Sequence, residues 1–381
     1  MAIKSLKFDN KDTGWSLEQT TFGDMNLLVG QSGAGKTQIL EALRSVRHAG
    51  LYGTRHIGRR YVSSSAWGLE LQIDGECYIW SAEIQVARVR MWSSTEDSSD
   101  GLFLREKIAT RSRTIIDRSN GEFFFEGERL PRLQESESAI KLLEAERSIK
   151  PIYEALRNWA FAETAFSIPN LRLAKESVEN YSTLSQLQRA TELDPLTKGY
   201  VLQARFPELF DELRITYGEI FPQVEDIKIT SYSDFGAKPE VDIERDDLAV
   251  GIRERGVAGW VTQRDLSAGM TKVFVYLVDL ILASRGSVFL VDELENSLGI
   301  DCLPEVAEQF LEKAGEIQFV ITSHHPQVIN AISTRDWKLV TRRGSVVTVL
   351  EAESIPALQT ASPLQKFTQL INLPEYAEGV V

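Results

Sequence analysis

Eight consecutive residues, Gly30-Gln31-Ser32-Gly33-Ala34-Gly35-Lys36-Thr37, carry the spacing GxxxxGK[ST]. Glycines at these places let backbone N–H groups turn inward around phosphate oxygens. The positive end of a following helix adds its dipole. The lysine, Lys36, is placed to reach β- and γ-phosphates, and the Thr37 hydroxyl to ligate Mg²⁺. Gly30 through Thr37 are therefore expected to cradle the phosphates of a nucleotide. The context disfavours a chance glycine-rich turn. A short strand, Asn26-Leu27-Leu28-Val29, precedes the loop, and Ile39, Leu40, Leu43 and Val46 give the following helix one apolar face.

Two carboxylates follow a second apolar strand, in Ser287-Val288-Phe289-Leu290-Val291-Asp292-Glu293. A strand adjacent to the phosphate loop would place Asp292 near the metal. Glu293 would then face the γ-phosphate and polarise the attacking water. Ahead of it, Asp265-Leu266-Ser267-Ala268-Gly269-Met270 opens an apolar helix over Val273 to Ala283. Ser267 reads as an ordinary helix N-cap or, with the helix N–H groups and Gly269, as a second anion site. Taken alone, the N-cap is the plainer reading. A third polar strand end, Thr322-Ser323-His324-His325-Pro326, holds two of the chain's four histidines. His324 is placed to bond the γ-phosphate or the attacking water, and His325 is the weaker candidate.

Several elements must position these groups. Residues 3–9 read as a strand. Residues 61–130 look β-rich, with Trp67, Leu69, Leu71 and Ile73 alternating with polar residues, and hairpin turns at Asp74-Gly75 and Asn120-Gly121. Residues 93–100 read as a mobile loop. Residues 133–220 look helical, with Ile140, Leu143, Ile149, Ile152, Leu156 and Trp159 in helical spacing. Residues 225–262 return to short strands, and 266–330 alternate helix, strand, helix, strand. The fold class expected is α/β. The domains expected are a core begun by 1–60, a β-rich insertion over 61–130, a helical insertion over 131–225, a second core part over 226–350, and a tail over 351–381.

Composition excludes other classes. The chain has 381 residues, 43% apolar and 25% charged, as in a folded globular protein. Cys77 and Cys302 form no CxxC pair, so a structural zinc site is not expected. The opening residues MAIKSLKFDN lack an apolar signal core, and the longest apolar run, Val273 to Ala283, is short and holds Asp279. A cytoplasmic protein without a membrane partner is expected. The net charge of −13 argues against coating nucleic acid. A local basic cluster, Arg44, Arg47, His48, Arg55, His56, Arg59 and Arg60, could meet DNA or RNA, although a solvated face is the plainer reading.

In order, these motifs resemble an ABC-type P-loop ATPase head. Within that class the chain looks like the soluble branch that contains RecF, structural-maintenance-of-chromosomes and OLD-family ATPases. Leu266-Ser267-Ala268-Gly269-Met270 resembles the LSGGQ signature, departing at Ala268 and Met270. Leu294-Glu295-Asn296-Ser297-Leu298 resembles the segment after that branch's catalytic glutamate, but Gly299 stands where a histidine often follows. Ser267 lies 231 residues after Lys36, far more than in a transporter ATPase. Gln72 and Gln85 are equal candidates for the Q-loop glutamine. The resemblance implies ATP and Mg²⁺ as ligands, and Glu293 and His324 as catalytic residues. It implies two copies closing on two ATP molecules, with Ser267 of each reaching the other's nucleotide. The output would be control of a separate effector, a nuclease or toxin, in DNA repair or in anti-phage defence such as PARIS or Septu. An ATP-stabilised scaffold that sequesters its effector with little turnover is the second reading.

Overall fold

The computed structural model describes residues 1–54, 63–86, 101–131, 134–162, 169–190, 193–236, 246–359, 366–377 and 379–380. The early chain forms β1 (Ala2–Asn10), β2 (Ser16–Thr21), β3 (Met25–Val29), α1 (Lys36–Tyr52), β4 (Ser65–Ile73), β5 (Glu76–Val86), β6 (Gly101–Thr110), β7 (Thr114–Ser119), β8 (Glu122–Phe125), β9 (Glu128–Arg129), α2 (Ala139–Leu142) and α3 (Lys150–Arg157). The middle forms β10 (Trp159–Phe161), α4 (Leu171–Asn180), α5 (Leu184–Gln188), α6 (Pro195–Arg205), α7 (Pro207–Ile220), β11 (Val224–Ser231), β12 (Leu248–Glu254), β13 (Trp260–Thr262) and α8 (Ala268–Leu282). The late chain forms β14 (Val288–Val291), α9 (Leu303–Lys313), β15 (Gln318–Thr322), α10 (Pro326–Ala331), β16 (Trp337–Arg343) and β17 (Val346–Glu351), followed by short helices α11 (Pro356–Gln359), α12 (Lys366–Ile371) and α13 (Pro374–Ala377). These elements gather into two units. Residues 1–159, 286–292 and 314–381 make the first, and 160–285 and 293–313 the second.

The first unit is built on one sheet, ordered β14-β15-β3-β16-β17-β2-β1-β4-β5-β6-β7-β8-β9. Strands β14, β15, β3 and β16 run parallel to one another, and β17 returns antiparallel to β16. β14, β15 and β3 are buried along their whole length, which is why they read as continuous apolar runs. From β2 to β9 every pairing is antiparallel. In β4, alternation decides which face is buried: Trp67, Leu69, Leu71 and Ile73 point inward. Asp74-Gly75 turns with φ of 49° and 86°, and Asn120-Gly121 with 53° and 76°, the positive angles that tight hairpins require. The β-rich segment expected over 61–130 is continuous with the core sheet, because β4 pairs with β1 from Ala2↔Gln72 to Asn10↔Ser65.

Three expected helical positions are corrected. Leu143 and Ile149 lie in the turns between α2 and α3, and Trp159 opens the short strand β10. Asn158 ends α3, and its carbonyl accepts from Val288 N at 3.1 Å, so the backbone has left the helix to meet β14.

The second unit packs helices α4 to α9 with the antiparallel sheet β11-β12-β13. α8 is buried on nearly every side, from Val273 through Val278 and at Leu280 and Leu282. Gly199 of α6 admits this packing: a Cβ there would lie 2.7 Å from Ile229 Cδ1 and 3.1 Å from Phe274 Cζ. Residues 93–100, and Arg55, His56, Arg59 and Arg60, lie outside the described residues.

Candidate functional site

β3 delivers its chain end between β15 and β16, with Leu28 opposite Thr322 on one side and Lys338 on the other. The phosphate loop begins at the next turn. Gly30 has φ of +153°, and a Cβ on it would sit 2.4 Å from the Val340 carbonyl oxygen. Gly35, at φ +108°, would meet a Val347 methyl at 2.8 Å. Gly33 lies in open space but holds φ +82°. Crowding therefore requires glycine at 30 and 35, and conformation alone favours it at 33. Ala34 N donates to Gln31 O at 3.2 Å and closes the loop, while Ser32 faces solvent. Gly35 is the N-cap of α1 and makes no side-chain cap bond, and a helix N-terminus favours an anion. The buried Lys36 ammonium donates to Gly30 O at 2.8 Å and Gln31 O at 2.9 Å, both within the loop.

Asp292 follows directly on β14, but β14 is not the neighbour of β3. β15 lies between them, which corrects the adjacency expected from sequence. Register still brings the ends together, since Val291 pairs with Ile321 and Thr322 with Leu28. Thr37 Oγ1 donates to Asp292 Oδ1 at 3.2 Å, and Thr322 Oγ1 donates to the same oxygen at 2.6 Å. Sequence reasoning does not single out Thr322 as a site residue. Its signal is its place at the end of an apolar strand, where it opens the Thr322-Ser323-His324 turn. Among the described residues no group of three or more His, Cys, Asp or Glu is arranged to hold a metal alone. Thr37 and Asp292 are a hard-oxygen pair that fits Mg²⁺ sharing its coordination with phosphate oxygens.

The second unit holds the signature-like segment. Ser267 N-caps α8, its Oγ accepting from Met270 N at 3.1 Å. Gly269 is buried, and a Cβ there would lie 2.7 Å from the Ser297 carbonyl oxygen. Glycine at this place thus lets the backbone after Glu293 pass close by. Tyr217 of α7 donates from its hydroxyl to Met270 O at 3.1 Å. Glu293 is exposed and adopts φ +47°. The loop it opens is made of turns, with Asn296 N donating to Glu293 O at 2.8 Å and Leu298 N to Glu295 O at 3.0 Å.

His324 is half-buried just beyond the end of β15, two residues after Thr322. His325 N-caps α10, its Nδ1 accepting from Gln327 N at 3.3 Å. Gln72 and Gln85 lie within β4 and β5, paired with Cys77 and Leu102 on neighbouring strands. Of the basic cluster, Arg47 Nε donates to Leu156 O at 3.0 Å and is used in packing α1 against α3. The His48 ring lies tilted at 45° to that of Tyr52, centroids 5.0 Å apart, and burial together with Arg47 pushes its imidazole below the ordinary value.

The profile of a family described as "AAA domain, putative AbiEii toxin, Type IV TA system" matches residues 25–330. The chain belongs to this family. By family it is an AAA-type ATPase domain, and the matched span takes in the phosphate loop, the signature-like segment, Asp292, Glu293 and His324. Solved structures to which the chain is similar include the Smc head domain with an extended coiled coil bound to the C-terminal domain of ScpA, derived from Pyrococcus furiosus. It is 13% identical, with a TM-score of 0.47, over 92% of this chain and 97% of that chain. The SmcHead bound to the C-winged helix domain of ScpA is 13% identical, with a TM-score of 0.46, over 92% and 98%. The SMC head domain from Thermotoga maritima is 12% identical, with a TM-score of 0.42, over 92% and 99%. No curated protein matches the chain. Among the described residues of the AAA domain, no helix is long and apolar enough to cross a membrane.

Proposed function

We propose that this protein binds ATP with Mg²⁺ at Gly30–Thr37 and hydrolyses it as a conformational switch that controls a separate effector. The observation that carries the reading is the convergence of the Thr37 and Thr322 hydroxyls on one oxygen of Asp292, beside a phosphate loop whose helix N-terminus is uncapped. Arriving phosphates would take over the Lys36 ammonium from the Gly30 and Gln31 carbonyls, which lie 2.8 and 2.9 Å from it. Thr37 and Asp292 would hold Mg²⁺, which supplies neutralisation of the phosphate charge. Glu293 would polarise the attacking water, and His324 would bond the γ-phosphate or that water. Ser267 and Gly269 begin a helix suited to meet the nucleotide of a second copy. The output is conformational and acts on a separate nuclease or toxin, in anti-phage defence or repair; the family description itself names a putative toxin of a Type IV TA system.

The test is molar mass by light scattering for wild type and Glu293→Gln, each with and without Mg-ATP. Glu293→Gln should bind ATP, hydrolyse it at least about a hundredfold more slowly, and shift from monomer to dimer only with ATP. One constant oligomeric mass in every condition would overturn the paired-head cycle and favour the ATP-stabilised scaffold.

A further inference from the structure

Lys272 lies on α8, five residues beyond Ser267, and its side chain is buried. Its ammonium donates to Asn296 O at 2.7 Å and to Glu293 O at 3.2 Å, and Leu294 O lies 3.5 Å away. The same ammonium sits 5.3 Å from the centroid of the Tyr276 ring, one helical turn on. Three carbonyls of a single loop thus converge on one cation, and a buried cation needs such partners.

The loop it holds is strained. Glu293 has φ +47° and Ser297 φ +66°, a conformation that side chains other than glycine rarely adopt. Such angles persist where the surroundings over-determine them. Two features of α8 do so here. Gly269 leaves space for the Ser297 carbonyl, and Lys272 binds the carbonyls of Glu293 and Asn296. Asn296 N already donates to Glu293 O, so that oxygen is held from two sides.

We infer that Lys272 is a positioning residue for Glu293: by binding the Glu293 and Asn296 carbonyls it fixes the left-handed backbone from which the Glu293 carboxylate projects. This rests on the role proposed above for Glu293. Asp292, one residue earlier, has its own hydroxyl donors in Thr37 and Thr322. Lys272 therefore acts on the water-polarising group and not on the nucleotide and Mg²⁺ seat. Its loss should appear in kcat and not in KM.

The test is steady-state ATP turnover by wild type, Glu293→Gln, Lys272→Met and the double variant. Lys272→Met keeps the stem that packs on Tyr276 and removes the ammonium. Its kcat is expected to fall at least about tenfold, with KM for ATP within about twofold of wild type. The double variant should be no slower than Glu293→Gln alone, because both changes remove one action. Lys272→Arg, which restores charge and donors, should recover part of the lost kcat. An unchanged kcat in Lys272→Met, a matching rise in KM, or losses that multiply in the double variant would overturn the assignment. If Lys272→Met does not fold, Lys272→Gln keeps a shortened two-donor head and should give a smaller loss confined to kcat, and an unchanged kcat there is equally fatal. A wild type that binds ATP but shows no Glu293-dependent turnover overturns the underlying reading instead, so the two failures are told apart.

Discussion

Thr322 Oγ1 donates to Asp292 Oδ1 at 2.6 Å across the ends of two parallel strands, β15 and β14. Thr322 is buried, whereas Asp292 is exposed, so a donor fixed in the sheet holds a carboxylate that faces solvent. Asp292 accepts at the same oxygen from Thr37 of α1, so its carboxylate is oriented from the helix after the phosphate loop as well as from β15.

Replacing Thr322 with valine keeps the shape and removes the donor. Stability should fall by about 1 kcal/mol, the typical worth of one hydrogen bond. The Mg²⁺ concentration for half-maximal ATP turnover should rise about tenfold, as expected on losing a residue that orients a metal ligand. A Mg²⁺ titration of turnover checks this. An unchanged midpoint would show that Thr322 does not orient Asp292 for the metal.

The glycines of the phosphate loop should separate by cause. Gly30→Ala forces a Cβ to within 2.4 Å of the Val340 carbonyl and should cost more than about 3 kcal/mol. Gly33→Ala meets nothing within 4 Å and should cost only the left-handed backbone penalty, about 1–2 kcal/mol. Thermal melting of the two variants decides it, and equal shifts would contradict the crowding seen at Gly30.

Gly269 and Ala268 stand side by side at the start of α8 but differ in surroundings. Gly269→Ala would press on the Ser297 carbonyl at 2.7 Å and should destabilise by about 2 kcal/mol or more. Ala268→Gly, which restores the first glycine of LSGGQ, should cost about 0.5–1 kcal/mol through helix propensity. Denaturant unfolding measures both, and a silent Gly269→Ala would remove the packing role of that glycine.

Burial pushes the Asp279 carboxyl above its ordinary value, by more than Lys198 at 3.3 Å draws it down. A carboxyl whose folded pKa is raised contributes stability that is complete below its unfolded pKa, about 3.9, and is lost as pH rises through the folded value. The amide of Asp279→Asn titrates nowhere in this range. The melting temperature of Asp279→Asn minus that of wild type should therefore move in favour of the variant between pH 4 and pH 8. Movement the other way would show that the Lys198 pair outweighs burial.

Much of this site is legible in the sequence because its parts are local. The phosphate loop is eight consecutive residues, and the hairpins at Asp74-Gly75 and Asn120-Gly121 follow from turn chemistry between alternating strands. What escapes sequence reading depends on pairing between distant segments. Nothing near Asp292 announces that β15 stands between it and β3. Thr322 and Lys272 look like ordinary members of an apolar strand and helix, and their polar atoms gain meaning only from carboxylate or carbonyl oxygens supplied by another segment. Trp159 keeps helical spacing, yet the chain pairs there instead, because the edge of β14 offers hydrogen bonds.

β3 lies between β15 and β16, two strands made long after it. During synthesis Met25–Val29, apolar but for Asn26, leaves the ribosome with neither neighbour in existence, and must wait until Trp337–Leu339 has been added before both edges are covered. β3 therefore gains its last strand neighbour long after its own residues are made. A chain stalled before Trp337–Leu339 would present an unpaired, water-averse strand, a surface prone to aggregate.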